Sequence, residues 1–258
     1  MIDLHCHILP GMDDGAENIE ESVTMCHIAY KDGIRTIVAT PHTMNGIFIN
    51  EIDYIVAEVE KLQNVLITKK IDMLIIPGAD VHINYNLLEL ISDGKAMTIN
   101  NNGRYILLEF PHHQVPPRIS EFVFKLKLNK IIPVFTHPER NLAIQKDLNI
   151  ILRLVELGAL TQITANSLIG EFGPDASLCA VEMLKNNLAH IIASDAHSSK
   201  FRSPVLSHSV VKAARITGQK WAEAMVTDIP GAIIAGEDIP DLPAPITPKR
   251  SLFKRIFK

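Results

Sequence analysis

Histidines and carboxylates recur along this chain at the ends of short apolar runs. His5 and His7 close Ile2-Asp3-Leu4-His5-Cys6-His7, and Asp195 and His197 close Ile191-Ile192-Ala193-Ser194-Asp195-Ala196-His197. Between them, His42 follows Ile37-Val38-Ala39-Thr40-Pro41, and Asp80 follows Leu74-Ile75-Ile76-Pro77-Gly78-Ala79. Glu109 follows Ile106-Leu107-Leu108, and His137 follows Ile131-Ile132-Pro133-Val134-Phe135-Thr136. Imidazole nitrogens and carboxylate oxygens in one place form a site for several divalent cations. Such ions activate water and neutralise charge on an oxygen, so the chemistry on offer is hydrolysis.

His5-Cys6-His7 sets two imidazoles at i and i+2, on one side of a strand, where both reach one metal. A lone His-x-His pair is weak evidence. This one ends the first strand and precedes an acid-rich turn, Asp13-Asp14-Gly15. Asp195-Ala196-His197 repeats the spacing with one hard oxygen. His42 and His137 are as consistent with structural roles as with ligation when taken singly, and gain weight from the set. Asp80 and Glu109 end apolar strands, where an unpartnered carboxylate is costly. Each needs a metal or a salt bridge, for which Arg104, Arg118 and Arg140 are the candidates. His27 and His208 fall in helical patterns, and His82, His112, His113 and His190 fit the strand ends less well. Surface, packing or supporting roles are expected for these six.

Such scattered residues meet only if the fold brings strand ends together. Apolar runs at 2–5, 34–39, 72–77, 105–109, 131–136, 159–164 and 190–194 read as strands. Most are continuous rather than alternating, as in parallel strands covered on both faces. Helical patterns fall between them at 18–32, 51–67, 117–129, 147–157, 175–188 and 204–217. The expected fold is α/β, a distorted barrel of seven β-then-α units related to the eightfold one, with every strand C-terminus opening on one face.

The 258 residues are 47% hydrophobic, enough for one large core. A net charge of −4 and 5% aromatics argue against a nucleic-acid partner. No apolar run reaches the roughly 18–20 residues of a membrane span, and no signal peptide opens the chain. Cys6, Cys26 and Cys179 lack paired spacing, so a reduced, cytoplasmic protein is expected. The barrel is expected over 1–239. Beyond it, 240–258 reads as a proline-punctuated linker (Pro240, Pro243, Pro245, Pro248) and a basic, apolar tail. That tail is a terminus or a docking element for a partner or an anionic membrane surface.

The motifs together resemble the polymerase-and-histidinol-phosphatase (PHP) superfamily. Within it they are most similar to the bacterial manganese-dependent protein-tyrosine phosphatases of capsule and exopolysaccharide systems. The matching stretches are Met1 to Pro10 with Asp13-Asp14-Gly15, Gly33 to His42, Tyr105 to Phe110, His137-Pro138-Glu139-Arg140, Gln162-Ile163-Thr164 and Ala193 to His197. The resemblance implies a trinuclear site on a seven-stranded barrel. One ion would take His5, His7, residue 80 and Asp195. A second would share residue 80 and add Glu109 and His137, and a third would take Asp14, His42 and His197. Two or three Mn2+ ions are implied, with Fe or Zn admissible on the same donors. This chain departs at one point, with Asp80 where the family has Glu.

The expected activity is hydrolysis of protein phosphotyrosine, for example on a tyrosine kinase that controls polysaccharide synthesis, which is a partner implied by the resemblance alone. Arg140 and Arg202 are candidates to clamp the phosphate, against a plain salt bridge at the barrel mouth. The cysteine route used by other tyrosine phosphatases needs an arginine six positions after the thiol. Here those positions hold Met12, Asp32 and Lys185. The alternatives are a PHP phosphoesterase acting on a small molecule such as histidinol phosphate, an amidohydrolase, and a non-catalytic metal-stabilised module. The sequence leaves the oligomeric state open.

Overall fold

The computed structural model describes residues 1–248. Nine short strands run parallel: β1 (Ile2–Cys6), β2 (Thr36–Ala39), β3 (His42–Thr43), β4 (Leu74–Pro77), β5 (Asp80–His82), β6 (Tyr105–Glu109), β7 (Ile132–Thr136), β8 (Leu160–Thr164) and β9 (Ile191–Ala193). They pair as β1-β2-β4 and β3-β5-β6-β7-β8-β9. β2 and β3 are one stave interrupted at Thr40-Pro41, and β4 and β5 are one interrupted at Gly78-Ala79. The nine strands therefore make seven staves of a TIM-like (β/α)7 barrel. The ring closes where Cys6 bridges Ala196, between the first stave and the last.

The interruptions have physical causes. Pro41 carries no N–H for the ladder. At Gly78 an added Cβ would stand 2.8 Å from Val38 Cγ1, so only glycine lets the stave bend there without a shift. His42 and Asp80 thus begin new strands rather than end old ones, and they are register partners.

Leu4, Val38, Leu107, Val134, Leu160 and Ile191 belong to a cluster that also includes Ile229 and Ile233 of the helix Asp228–Ala235. That helix lies at the strand N-termini, where Ile2 N–H donates to Val226 O at 2.7 Å. A larger cluster packs the outer faces of the staves against the helices. The long helices Ile19–Asp32, Ile52–Thr68, Ile119–Leu128, Asn149–Glu156, Pro174–Lys185 and Ser207–Thr217 lie within a few residues of their expected bounds. Leu87–Ser92, Leu142–Lys146, Ala165–Ile169 and Gln219–Ala224 were not legible, because helices of five or six residues show no readable period, and Asp228–Ala235 escaped because Pro230-Gly231 inside it reads as a turn. Within 240–248, Ile246 N–H donates to Asn186 O and Asn187 Nδ2 to Ala244 O, both at 2.8 Å. The basic, apolar run of 249–258 lies outside the described residues.

The ends of the ring are also tied by Asp3, which is wholly buried and accepts from both Ser194 N–H and Ser194 Oγ. Burial pushes the Asp3 carboxyl up to about 6, against the pull of those bonds. Ser194→Ala leaves one carboxylate oxygen short of a donor and should cost about 1–3 kcal/mol. Urea unfolding of the variant checks this, and an unchanged midpoint would show that closure does not depend on the bond.

Candidate metal centre

The strand C-termini gather the expected residues into one cluster. His5 Nδ1–H donates to Gln162 Oε1 at 3.0 Å, and His7 Nδ1–H donates to Asp13 Oδ2 at 2.6 Å. Both rings are thereby turned so that their Nε2 atoms face each other at 3.0 Å. Asp195 Oδ1 lies 3.5 Å from His5 Nε2 and 3.4 Å from His7 Nε2. Asp80 Oδ2 lies 3.6 Å from His5 Nε2 and 3.4 Å from His42 Nδ1.

Glu109 ends β6, with Oε2 3.7 Å from His42 Nδ1 and Oε1 3.4 Å from His137 Nε2. Asp14 Oδ1 lies 3.6 Å from His42 Nε2 and 3.5 Å from His197 Nε2. Three groups have ligand atoms within 4.8 Å of one another: His7, Asp14, His42 and His197; His5, His7 and Asp80; and His42, Asp80 and Glu109. All nine expected residues are therefore in one cluster, though His7 joins Asp14, His42 and His197 more closely than the resemblance implies.

Two backbone positions differ from the strand reading. Asp195 and His197 lie beyond β9, and Asp195 is left-handed at φ 51. That conformation is held by Asp195 N–H donating to His5 O at 2.8 Å and His7 N–H donating to Ala196 O at 2.9 Å. His137 is also left-handed, at φ 32, just before the tight turn Pro138–Arg140.

The donor set fits divalent cations. Asp80 Oδ2 and His42 Nδ1 are buried and have no hydrogen-bond partner. The salt-bridge alternative fails for Asp80 and Glu109. Arg104 pairs with Asp238, Arg118 with Glu121, and Arg140 with Asp195, so none of these three arginines meets either carboxylate. Burial opposes ionisation of Asp80, but the neighbouring His5 and His42 together overcome it and lower the carboxyl. Asp195 is held well below the usual range, because His5, His7, Arg140 and Arg202 overcome its burial.

Burial lowers His5 and His137, and it pushes His197 down to about 4. His7 goes the other way. Burial pulls it down, but the bonds to Asp13 and Asp195 raise it to about 10.

Four contributors were missed or underrated. Asp13 orients His7 and also accepts from His42 N–H at 2.8 Å and Gly15 N–H at 2.9 Å. Its signal was present in the acid-rich turn, where only Asp14 drew a role. Gln162, fully buried on β8, was a polar residue in a buried strand and so required a partner. His82 Nδ1 is buried without a partner, 3.7 Å from Glu109 Oε2, which brings this histidine to the rim of the site. Phe172 lies against Arg140 and Arg202, with nothing in its sequence setting to mark it. Of the histidines set aside, His27, His112, His113 and His208 are exposed. His190 is a core residue, accepting from Thr161 N–H at 3.1 Å.

Arg140 and Arg202 both donate to Asp195 Oδ2, Arg202 at 2.6 Å. The salt bridges weighed as the alternative to a phosphate clamp are thus present. Arg202 Nε is buried and has no acceptor.

A parallel barrel with imidazoles and carboxylates converging at its C-terminal mouth is the architecture of a metal-binding barrel hydrolase. The chain belongs to the CpsB/CapC capsular polysaccharide synthesis family, whose profile matches residues 1–235. It is 39% identical over 203 residues to the tyrosine-protein phosphatase YwqE of Bacillus subtilis, covering 79% of this chain and 80% of the relative. It is 29% identical over 239 residues to the tyrosine-protein phosphatase CpsB of Streptococcus pneumoniae, covering 91% and 98%. A crystal structure from work on YwqE and CpsB, described as unique metal-dependent tyrosine phosphatases, superposes with a TM-score of 0.92 at 35% identity. It covers 97% of this chain and 100% of that one. A Listeria monocytogenes lactonase shares the fold alone, with a TM-score of 0.54 at 13% identity over 92% of this chain and 95% of that one.

A proton on His7 competes with a cation for Nε2. Because His7 is raised to about 10, it is protonated at neutral pH before any cation binds, so loading should release at least one proton. The release should vanish only above about 10. Manganese titration calorimetry in buffers of different ionisation enthalpy measures it. Asp13→Asn should cut the release and weaken binding about 10–100-fold, and equal proton counts in both proteins would refute the assignment.

Proposed function

We infer that this chain is a metal-dependent protein-tyrosine phosphatase of a capsule or exopolysaccharide system. Two or three Mn2+ ions would be held by His5, His7, Asp14, His42, Asp80, Glu109, His137, Asp195 and His197. The observation that carries the reading is Asp80, a wholly buried carboxylate that ends near two imidazoles and leaves one oxygen unpartnered. Its other oxygen accepts from Thr136 Oγ1 at 3.1 Å, which fixes its direction. Bound cations would supply a Lewis acid and bring the pKa of water toward neutrality.

The remaining work falls to the chain. Arg140 and Arg202 bind the phosphoryl group, since two guanidiniums offer it paired N–H edges. The unpartnered Arg202 Nε supports this role. Asp195 aligns both arginines through one oxygen and serves the metal cluster through the other. The leaving phenolate of tyrosine, with a pKa near 10, needs less protonation than an alkoxide.

The thiols take no part. Cys6 and Cys26 are fully buried, burial pushes the Cys6 thiol well above its usual value, and it pushes Cys26 up to about 12. Among the described residues no helix is long and apolar enough to cross a membrane. A cytoplasmic enzyme acting on a phosphotyrosine protein, such as a bacterial tyrosine kinase, is the reading we favour.

Turnover of a phosphotyrosine peptide against histidinol phosphate, with chelator and manganese add-back, tests the function. Activity confined to histidinol phosphate would reject the protein substrate. Elemental analysis should find two or three ions per chain, and one ion in fully active enzyme would reject the trinuclear site. Replacing Cys6, Cys26 and Cys179 with Ala should leave metal-dependent turnover largely intact. Asp80→Ala should lose an ion and about 100-fold or more in rate, whereas Asp80→Glu should retain activity. Normal ion content and rate in Asp80→Ala would remove Asp80 from the site.

A further inference from the structure

Phe172 is a half-buried aromatic ring that belongs to neither hydrophobic cluster among the described residues. Its neighbours are charged instead. The guanidinium carbon of Arg140 lies over its ring, 4.5 Å from the centroid, and that of Arg202 lies 5.5 Å from it. The ring sits in a short turn between the helices Ala165–Ile169 and Pro174–Lys185. Gly170 at φ 102 and Gly173 at φ 88 bracket it, both left-handed, and Gly173 N–H donates to Gly170 O at 3.0 Å. A turn closed by its own backbone bond thus presents one large side chain to two arginines.

The arrangement answers an electrostatic problem. Two guanidiniums converge on a single carboxylate oxygen, Asp195 Oδ2, so one negative charge faces two positive ones. The arginines repel each other, and each has long rotatable bonds by which to leave. A π face attracts a cation, and a guanidinium that stacks on it keeps its N–H edges free. Phe172 therefore offsets the repulsion without using up the donors that a phosphoryl group needs.

We propose that Phe172 is a positioning residue that holds Arg140 and Arg202 together as one phosphoryl receptor. This rests on the reading of the two arginines as the phosphoryl clamp. The ring acts on substrate only through the guanidiniums, so its removal weakens recognition of phosphate itself, not of the aryl group. The test uses the metal-loaded full chain, with p-nitrophenyl phosphate as substrate and inorganic phosphate as competitive inhibitor.

Phe172→Leu keeps apolar bulk and loses the π face. It should weaken phosphate inhibition about ten-fold and lower kcat/KM in parallel, with ion content and melting temperature unchanged. Phe172→Tyr should stay within about two-fold of the wild type, because it retains the face. Phosphate inhibition at the wild-type level in Phe172→Leu would overturn the proposal. So would a raised KM for the aryl phosphate with unchanged phosphate inhibition, which would put the ring against substrate. Loss of ions in Phe172→Leu would overturn it as well, by assigning the ring to the metal cluster. Arg140→Gln and Arg202→Gln are the separate control. If neither weakens phosphate inhibition, the clamp reading fails whatever the Phe172 variants do.

Discussion

Asp195 is buried, held ionised and shared between two kinds of partner. One oxygen faces His5, His7 and His197, at 3.5, 3.4 and 3.7 Å, and the other faces the two arginines. An isolated carboxylate at such a place would be protonated. Here the surrounding positive groups keep it charged, so one carboxylate faces three imidazoles and holds two guanidiniums at once. Its backbone is equally constrained, since the left-handed turn at Asp195 exists because the chain bonds to β1 on either side of it. Closing the barrel and building the site are the same event. A sequence change that loosens the β1 and β9 junction acts on His5, His7 and Asp195 together.

The second constraint is the interruption of two staves. An unbroken parallel strand sends alternate side chains inward and outward, and its last inward residue fixes where the site begins. Pro41 and Gly78 reset that alternation. The strands restart as β3 and β5, and the register brings His42 beside Asp80. Removal of the glycine would carry a Cβ into Val38 and disturb the bend. Gly15 plays a comparable part at the first stave. A Cβ there would come within 2.2 Å of His7 O, so the loop carrying Asp13 and Asp14 folds back on His7 only because residue 15 has no side chain.

Much of this was legible in the sequence for one physical reason. Parallel staves buried on both faces must be apolar, so a histidine or acid at the end of such a run stands out. That is how eight of the nine expected ligands were reached; Asp14 lies in a turn and came from the family resemblance alone. What escaped depended on contacts between distant segments. Gln162 and His5 are 157 residues apart, and Asp3 and Ser194 are 191 apart. Phe172 looked like any loop aromatic until the fold set two arginines over it. The left-handed turn at Asp195 also escaped, because a non-glycine residue there is held by tertiary bonds to the first strand rather than by local preference.

The Asp-for-Glu exchange at position 80 can now be judged on geometry. A shorter side chain would matter if the backbone sat where an unbroken stave puts it. It does not, because the stave bends at Gly78 and restarts at Asp80 itself. From there the carboxylate already lies 3.4 Å from His42 and 3.6 Å from His5, with Thr136 fixing its other oxygen. Those two histidines come from different staves and face different cation groups. The carboxylate lies between the two, and its position there comes from the bend in the main chain rather than from an extra methylene. The break in the stave, the glycine that permits it and the aspartate that follows therefore act as one unit.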